Sequence, residues 1–321
     1  EASGLYLNFR ESAWPEGADR FLAELKKARM KFGLWFDVNM EKLKLPEGVT
    51  GREGAGEGLC LAYEENTKLL FNGIRRQIRQ CGCRMLKLDF AFFDCQDESH
   101  GVHASEKIRS KEPAIRNFLK ELTSLCEENA GLLVLGYNGF TTDLEGIAAI
   151  DPRHTDLIIS PWWCLYLDYL YCGDPRPAEL PTENLGNSLI CYTDSMLGRF
   201  AKSLIPYCAI DDHGTMIGNT NTIYYLGKGS FQDSWIMNIV RGGKKLHLYG
   251  ELELMRDEDW RFIGESNALF EFVCRTDVRT ERIGKSPAKG EVYGYSNSDG
   301  KRGYLTLVNP RNTEEMDFVR L

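Results

Sequence analysis

The feature that most constrains this chain is its early alternation of helical and strand texture. From Ala18 to Lys31, Phe21, Leu22, Leu25 and Ala28 recur at helical spacing, with Lys26, Lys27 and Arg29 on the opposite side. A short apolar run follows, Phe32 to Phe36 (FGLWF). A second amphipathic stretch from Glu64 to Gln80 then leads into Arg84 to Phe93 (RMLKLDFAFF). Strand, helix, strand at this pace is a βαβ unit, and such a unit requires parallel strands.

The second strand carries two charges inside its apolar run. Lys87 and Asp89 are two positions apart, so they point to the same side. In a closed parallel barrel, charges near the C-terminal end of a strand emerge where the loops build active sites. Two readings of Asp89 stand: a catalytic carboxylate, or one half of a solvated salt bridge at a strand end.

The alternation continues to about residue 275. A helix is expected over 112–129, then a strand from Leu132 to Tyr137, a short helix near Leu144–Ile150 and a strand at Leu157–Ile159. An aromatic, Pro-bearing stretch after it, Ser160 to Asn184, fits no regular element. Loops of that length in compact domains are usually functional. A helix near Leu189–Leu204, a strand from Ile205 to Ile210 ending at Asp211, Asp212 and His213, a helix over Asp233–Arg241 and a strand at Leu246–Tyr249 complete the series. The count is six barrel-type strands, where eight would close a (β/α)8 TIM-type barrel. Beyond residue 276 the texture turns to β-formers around an Asp299–Gly300 turn. The expected organisation is a barrel over 1–275 and an incomplete β-sandwich over 276–321.

With 321 residues and 43% hydrophobic content, the chain can bury one large core. A formal net charge of -8 with no basic block argues against nucleic acid and anionic membrane as partners. No apolar run approaches the roughly 20 residues of a membrane span, so a soluble protein is expected. Ten cysteines in a chain this long read as mostly buried free thiols, among them Cys126, Cys164, Cys208 and Cys274. The Cys81/Cys83 pair is C-x-C without a second pair at zinc-site spacing. The opening EASGLYLNF lacks the basic and apolar regions of a signal peptide, which leaves the compartment open: cytoplasm, prior processing and a start inside a longer protein all fit.

Several segments resemble the melibiase-like α-galactosidases of glycoside hydrolase family 36. Phe32 to Met40 (FGLWFDVNM) is similar to their G-L-W-F-E-P-E-M segment, behind a WPEG lead-in like their F-P-N-G. LKLDF resembles their strand bearing K-x-D, whose aspartate is the nucleophile. The resemblance implies that Asp89 is the nucleophile, Lys87 a substrate-binding lysine, and Trp35 and Asp37 sugar contacts. The family's first barrel strand, which ends in paired aspartates, has no counterpart here. Asp37 replaces its Glu and Val38 its Pro. Where an acid/base aspartate would follow the sixth strand, this chain has Ile159-Ser160-Pro161-Trp162-Trp163.

A retaining glycosidase needs a second carboxyl group roughly 5 to 5.5 Å from the nucleophile. Asp168, Asp174, Asp194, Asp211 and Asp212 are the downstream candidates. Asp174, in Cys172-Gly173-Asp174-Pro175-Arg176, is the first choice, although an Asp-Pro turn held by Arg176 explains the same residues. Asp194, followed by Arg199, is the second, and it also suits a helix N-cap. Trp162, Trp163, Tyr166 and Tyr169 suit a platform for a sugar ring or the packing of their own loop. Asp211, Asp212 and His213 are expected to contact substrate, with a metal-dependent hydrolase as the rival reading. A third reading is a catalytically silent carbohydrate-binding barrel. The preferred one is a retaining exo-α-glycosidase that acts on terminal α-linked galactose or N-acetylgalactosamine and needs no cofactor and no metal. A carbohydrate is its expected partner, and a homo-oligomer is compatible with it.

Overall fold

The computed structural model describes residues 6, 12, 14–39, 58–93, 107–140, 161–172, 185–212, 214–219, 228–311 and 313–314. The chain divides into two compact units, the first comprising residues 1–143 and 162–170 and the second 144–161 and 171–321.

In the first unit the βαβ expectation is met. Helix α1 (Asp19–Lys27) leads to strand β1 (Phe32–Asp37), α2 (Glu64–Cys81) to β2 (Cys83–Asp89), and α3 (Lys107–Glu128) to β3 (Leu133–Gly136). Strands β1, β2 and β3 pair in parallel, and Tyr169 and Leu170 of β4 (Tyr169–Tyr171), which fall in this unit, add to β3 in the same sense. Helix α2 forms because Leu70, Phe71, Ile74 and Ile78 make one buried stripe. It stops at Gly82, whose left-handed backbone (φ 63°) lets its N–H cap the Ile78 carbonyl at 3.0 Å. Arg75 then ties α2 to α3 through Glu121 (2.8 Å) and Glu128 (3.1 Å).

Strand β4 lies inside the stretch expected to be irregular. The residues before it, Pro161–Leu165, form a 3-10 turn that buries Trp163 among Phe93 and Phe140, with ring centroids 5.6 and 5.0 Å away. Phe118 and Phe71 extend this aromatic core.

The second unit holds α4 (Leu185–Lys202), β5 (Ile210–Asp211), β6 (Thr215–Ile217), α5 (Phe231–Val240), β7 (Leu248–Gly250), α6 (Asp257–Cys274) and strands β8 (Arg279–Gly284), β9 (Tyr293–Ser298) and β10 (Gly303–Val308). The strand expected from Ile205 to Ile210 shrinks to two residues. Pro206 offers no N–H and residues 207–209 wind into a 3-10 turn, leaving only Ile210 and Asp211 of this stretch paired as a strand. Strands β6 and β7 pair in parallel, while β8, β9 and β10 form an antiparallel sheet in the order β10-β9-β8. The expected Asp299–Gly300 turn joins β9 to β10, with Gly300 at φ 83°.

This sheet shares its core with the helices of the second unit: Tyr293, Tyr295 and Val308 are buried with Ile190, Trp235, Val240 and Phe272. The expected helix near 144–150 and strand at 157–159 lie outside the described residues. The described cysteines are free thiols, as expected, but Cys208 is exposed in the 3-10 turn rather than buried, and Cys126, Cys164 and Cys274 are half-buried. No helix among the described residues is long and apolar enough to cross a membrane.

Candidate active site

The parallel register of β1 and β2 sets Trp35 beside Lys87 and Asp37 beside Asp89. Because side chains alternate along a strand, these four residues share one face of the sheet at its C-terminal edge. Sequence spacing places Lys87 and Asp89 together; the register adds the neighbouring pair.

Asp89 is 7% exposed and its carboxylate is held from three sides. Oδ1 accepts from the backbone N–H of Phe90 (2.9 Å), the backbone N–H of Asn138 (3.2 Å) and the Asn138 side-chain amide (2.9 Å). Oδ2 accepts from the Trp35 indole Nε1 at 3.0 Å. Trp35 is itself 46% exposed and meets Phe90 edge to face, with centroids 6.1 Å apart. Phe90 has φ 50°, a left-handed conformation rare outside glycine, at the residue where the chain turns away from the strand end.

Backbone pairing fixes the parts of this arrangement against one another. Val38 N–H donates to the Asp89 carbonyl, Tyr137 N–H to the Leu88 carbonyl and Ala91 N–H to the Asn138 carbonyl, at 2.8, 2.8 and 2.9 Å. Gly139 follows at φ 101°, and a Cβ there would stand 1.9 Å from the Ala91 carbonyl oxygen. Only glycine lets the two loops approach so closely. Asn39, fully buried, staples a third loop: its amide donates to the Leu59 and Phe92 carbonyls at 2.7 and 3.0 Å, and its Oδ1 accepts from Phe92 N–H at 2.6 Å. Asn39 and Asn138 carry no charge, so neither stands out in the sequence; an Asn-Gly pair just past a strand end is the available signal for Asn138.

Asp37 is 1% exposed, and its backbone carbonyl accepts from the Tyr6 hydroxyl at 2.5 Å. Burial, reinforced by the nearby Asp37 charge, pushes the Tyr6 hydroxyl well above its ordinary pKa, so it is a donor throughout the physiological range. Lys87 extends its ammonium over the Tyr137 ring, 3.8 Å from the centroid, a cation–π contact that keeps a positive charge on the same sheet face as Asp89.

Of the tryptophans expected to form a sugar platform, Trp163 is 2% exposed and packed into the aromatic core. Trp162 stacks on it at 4.0 Å and meets Tyr166 edge to face, both in the first unit. Asp168, one of the downstream carboxylate candidates, instead accepts from Val134 N–H at 2.7 Å.

In the second unit, Asp194 is 0% exposed rather than capping a helix end. It lies within α4 and accepts from Arg241 Nε (2.8 Å) and Nη2 (3.2 Å) and from the hydroxyls of Tyr293 and Tyr295 (both 2.6 Å). Arg241 Nη1 also reaches Asp212 at 3.1 Å. Asp211 is paired with Lys245 (3.3 Å) and His247 Nδ1 (3.1 Å). Both aspartates of the trio that the rival metal-dependent hydrolase would use are thus engaged by protein groups, and no metal-ligating group of three or more is found among the described residues. Asp174, Arg176 and His213 lie outside the described residues, as does the side chain of Arg199.

The sequence matches no protein-family model and no curated protein. Solved structures do match it. The GH36 α-galactosidase AgaB from Geobacillus stearothermophilus superposes with a TM-score of 0.67 at 11% identity, over 100% of this chain and 42% of that one. The chain has the fold of the family 36 α-galactosidases. The galactosidase domain of the α-galactosidase-sucrose kinase AgaSK gives 0.61 at 12% identity, again over 100% of this chain and 42% of the other. This chain thus spans about two fifths of the length of those structures. A noncanonic maltogenic α-amylase, AmyB from Thermotoga neapolitana, also matches, at 0.52 and 11% identity over 91% of this chain and 67% of its own. Likeness at this identity is a likeness of fold, so a substrate has to be argued from the site.

Proposed function

We propose that this chain carries the catalytic part of a retaining exo-α-glycosidase that removes terminal α-linked galactose or N-acetylgalactosamine, built on a (β/α)8 barrel with a C-terminal β-sandwich. The observation that supports this most directly is the Asp89 carboxylate, held by four donors at the C-terminal end of a parallel strand, on one face with Trp35, Asp37 and Lys87. That edge of a parallel sheet is where such enzymes collect reacting groups.

In the proposed reaction Asp89 attacks the anomeric carbon as the glycosidic C–O bond breaks. The bonding pair leaves with the aglycone oxygen, which takes a proton from Asp174. Water, deprotonated by Asp174, then attacks the anomeric carbon and frees Asp89. Trp35, Asp37 and Lys87 orient the sugar.

The test is hydrolysis of p-nitrophenyl α-galactoside and α-N-acetylgalactosaminide by the wild type, Asp89→Ala and Asp174→Ala. Loss of turnover in Asp89→Ala, with Asp174→Ala retaining activity only on activated leaving groups, is expected. Full activity in Asp89→Ala would refute the mechanism. A wild type that binds sugar without turnover would favour the silent binding barrel.

A further inference from the structure

The two oxygens of Asp89 are not equivalent. Oδ1 receives three hydrogen bonds, two of them from Asn138, whereas Oδ2 receives one, from Trp35. A carboxylate oxygen offers two lone pairs, so Oδ1 is saturated and Oδ2 keeps a lone pair for another partner. Asn138 itself has little freedom. Its carbonyl is pinned by Ala91 N–H at 2.9 Å, and Gly139 behind it lies against the Ala91 carbonyl.

Resting on the reading of Asp89 as nucleophile, we infer that Asn138 is the positioning residue that fixes Asp89, clamping Oδ1 so that Oδ2 forms the bond to the anomeric carbon. As the Oδ2–C1 bond forms and the C1–O bond breaks, Oδ1 becomes the carbonyl oxygen of the glycosyl ester. The Asn138 and Phe90 donors can stay on it throughout, and no hydrogen bond to Oδ1 has to break before reaction. The Trp35 indole N–H occupies the other lone pair of Oδ2 and does not have to leave as the new bond forms. Asn138 acts through Asp89 and need not touch the sugar.

The experiment follows ester formation on the intact chain with 5-fluoro-α-galactosyl fluoride, an activated sugar whose ester hydrolyses slowly, locating the added mass by peptide mass spectrometry. Wild type, Asn138→Ala and the isosteric Asn138→Asp are compared, with every rate normalised to the folded fraction from thermal melts. The maximal labelling rate at Asp89 is expected to fall about 10- to 100-fold in both variants, the loss of a hydrogen bond to a charged group. The half-saturating concentration should stay within about threefold. A residue with a merely structural role would lower the folded fraction and leave the normalised rate unchanged, and that result overturns the inference while leaving Asp89 as nucleophile. A wild type carrying no label on Asp89 overturns the nucleophile assignment and this inference with it.

Discussion

Arg241 is a buried cation of the second unit shared between two aspartates, and its removal has a calculable cost. The side chain is buried, bidentate on Asp194 at 2.8 and 3.2 Å, and bonded to Asp212 at 3.1 Å. Burial alone would lower the guanidinium pKa, but the charges of Asp194 and Asp212 outweigh it and hold Arg241 well above its ordinary value, so it stays charged. Arg241→Met keeps most of the aliphatic stem but strands two buried carboxylates. Asp194 would retain the hydroxyls of Tyr293 and Tyr295, and Asp212 only the Gly214 N–H. Breaking a buried ion pair from one side costs about 3 to 5 kcal/mol. The milder Tyr295→Phe removes one hydrogen bond to a charged group, about 1.5 to 3 kcal/mol. Since both changes act on Asp194, their double mutant should depart from additivity by about 0.5 to 3 kcal/mol. Urea unfolding reads this as a lowered midpoint at unchanged slope. Hydrogen exchange in peptides covering α5 and β9 places the loss in the second unit. A loss below about 1 kcal/mol for Arg241→Met would refute the reasoning, because it would mean that the carboxylates are relieved by solvent.

Two further outcomes follow from the first unit. Gly139→Ala forces an unfavourable φ and drives a methyl group into the Ala91 carbonyl, so it should cost about 2 to 4 kcal/mol in urea unfolding; an unchanged midpoint would show that the loops move apart freely. Glu64 is hydrogen-bonded to Lys120 (2.8 Å) and Lys68 (2.9 Å), which hold its carboxyl down from 4.5 to about 2. A depressed folded value means stability present above pH 4.5 and lost as pH falls towards 2. The difference in urea midpoint between wild type and Glu64→Gln should therefore shrink across that window, by a small amount because the pair is exposed, and a constant difference would contradict the linkage.

How much of this was legible depended on the range over which the signal acts. The β1–α2–β2 unit was legible because its periodicities are local and βαβ connectivity leaves only parallel pairing. Lys87 and Asp89 stood out as charges in an apolar strand. Strand β4 was hidden because three residues, Tyr169–Tyr171, inside an aromatic stretch show no period. The strand expected over 205–210 failed at Pro206, where a missing N–H and a 3-10 turn outweighed β-propensity. The partners of Arg241 lie 47 and 29 positions away, and nothing in the local sequence pairs a helix-end arginine with either aspartate. The C-terminal hairpin was written in its turn residues, whereas its sharing of a core with α4, α5 and α6 is a long-range packing outcome.

The central claim is that Asp89 is the nucleophile of a retaining reaction, and the product of a rescue experiment tests it most directly. Asp89→Gly, given p-nitrophenyl α-galactoside and azide, leaves room for the anion on the face the carboxylate occupied. No turnover is expected without azide and, with it, release of nitrophenol together with β-galactosyl azide, identified by its anomeric proton coupling. Wild-type activity in Asp89→Gly without azide, or an azide product of α configuration, would contradict the claim.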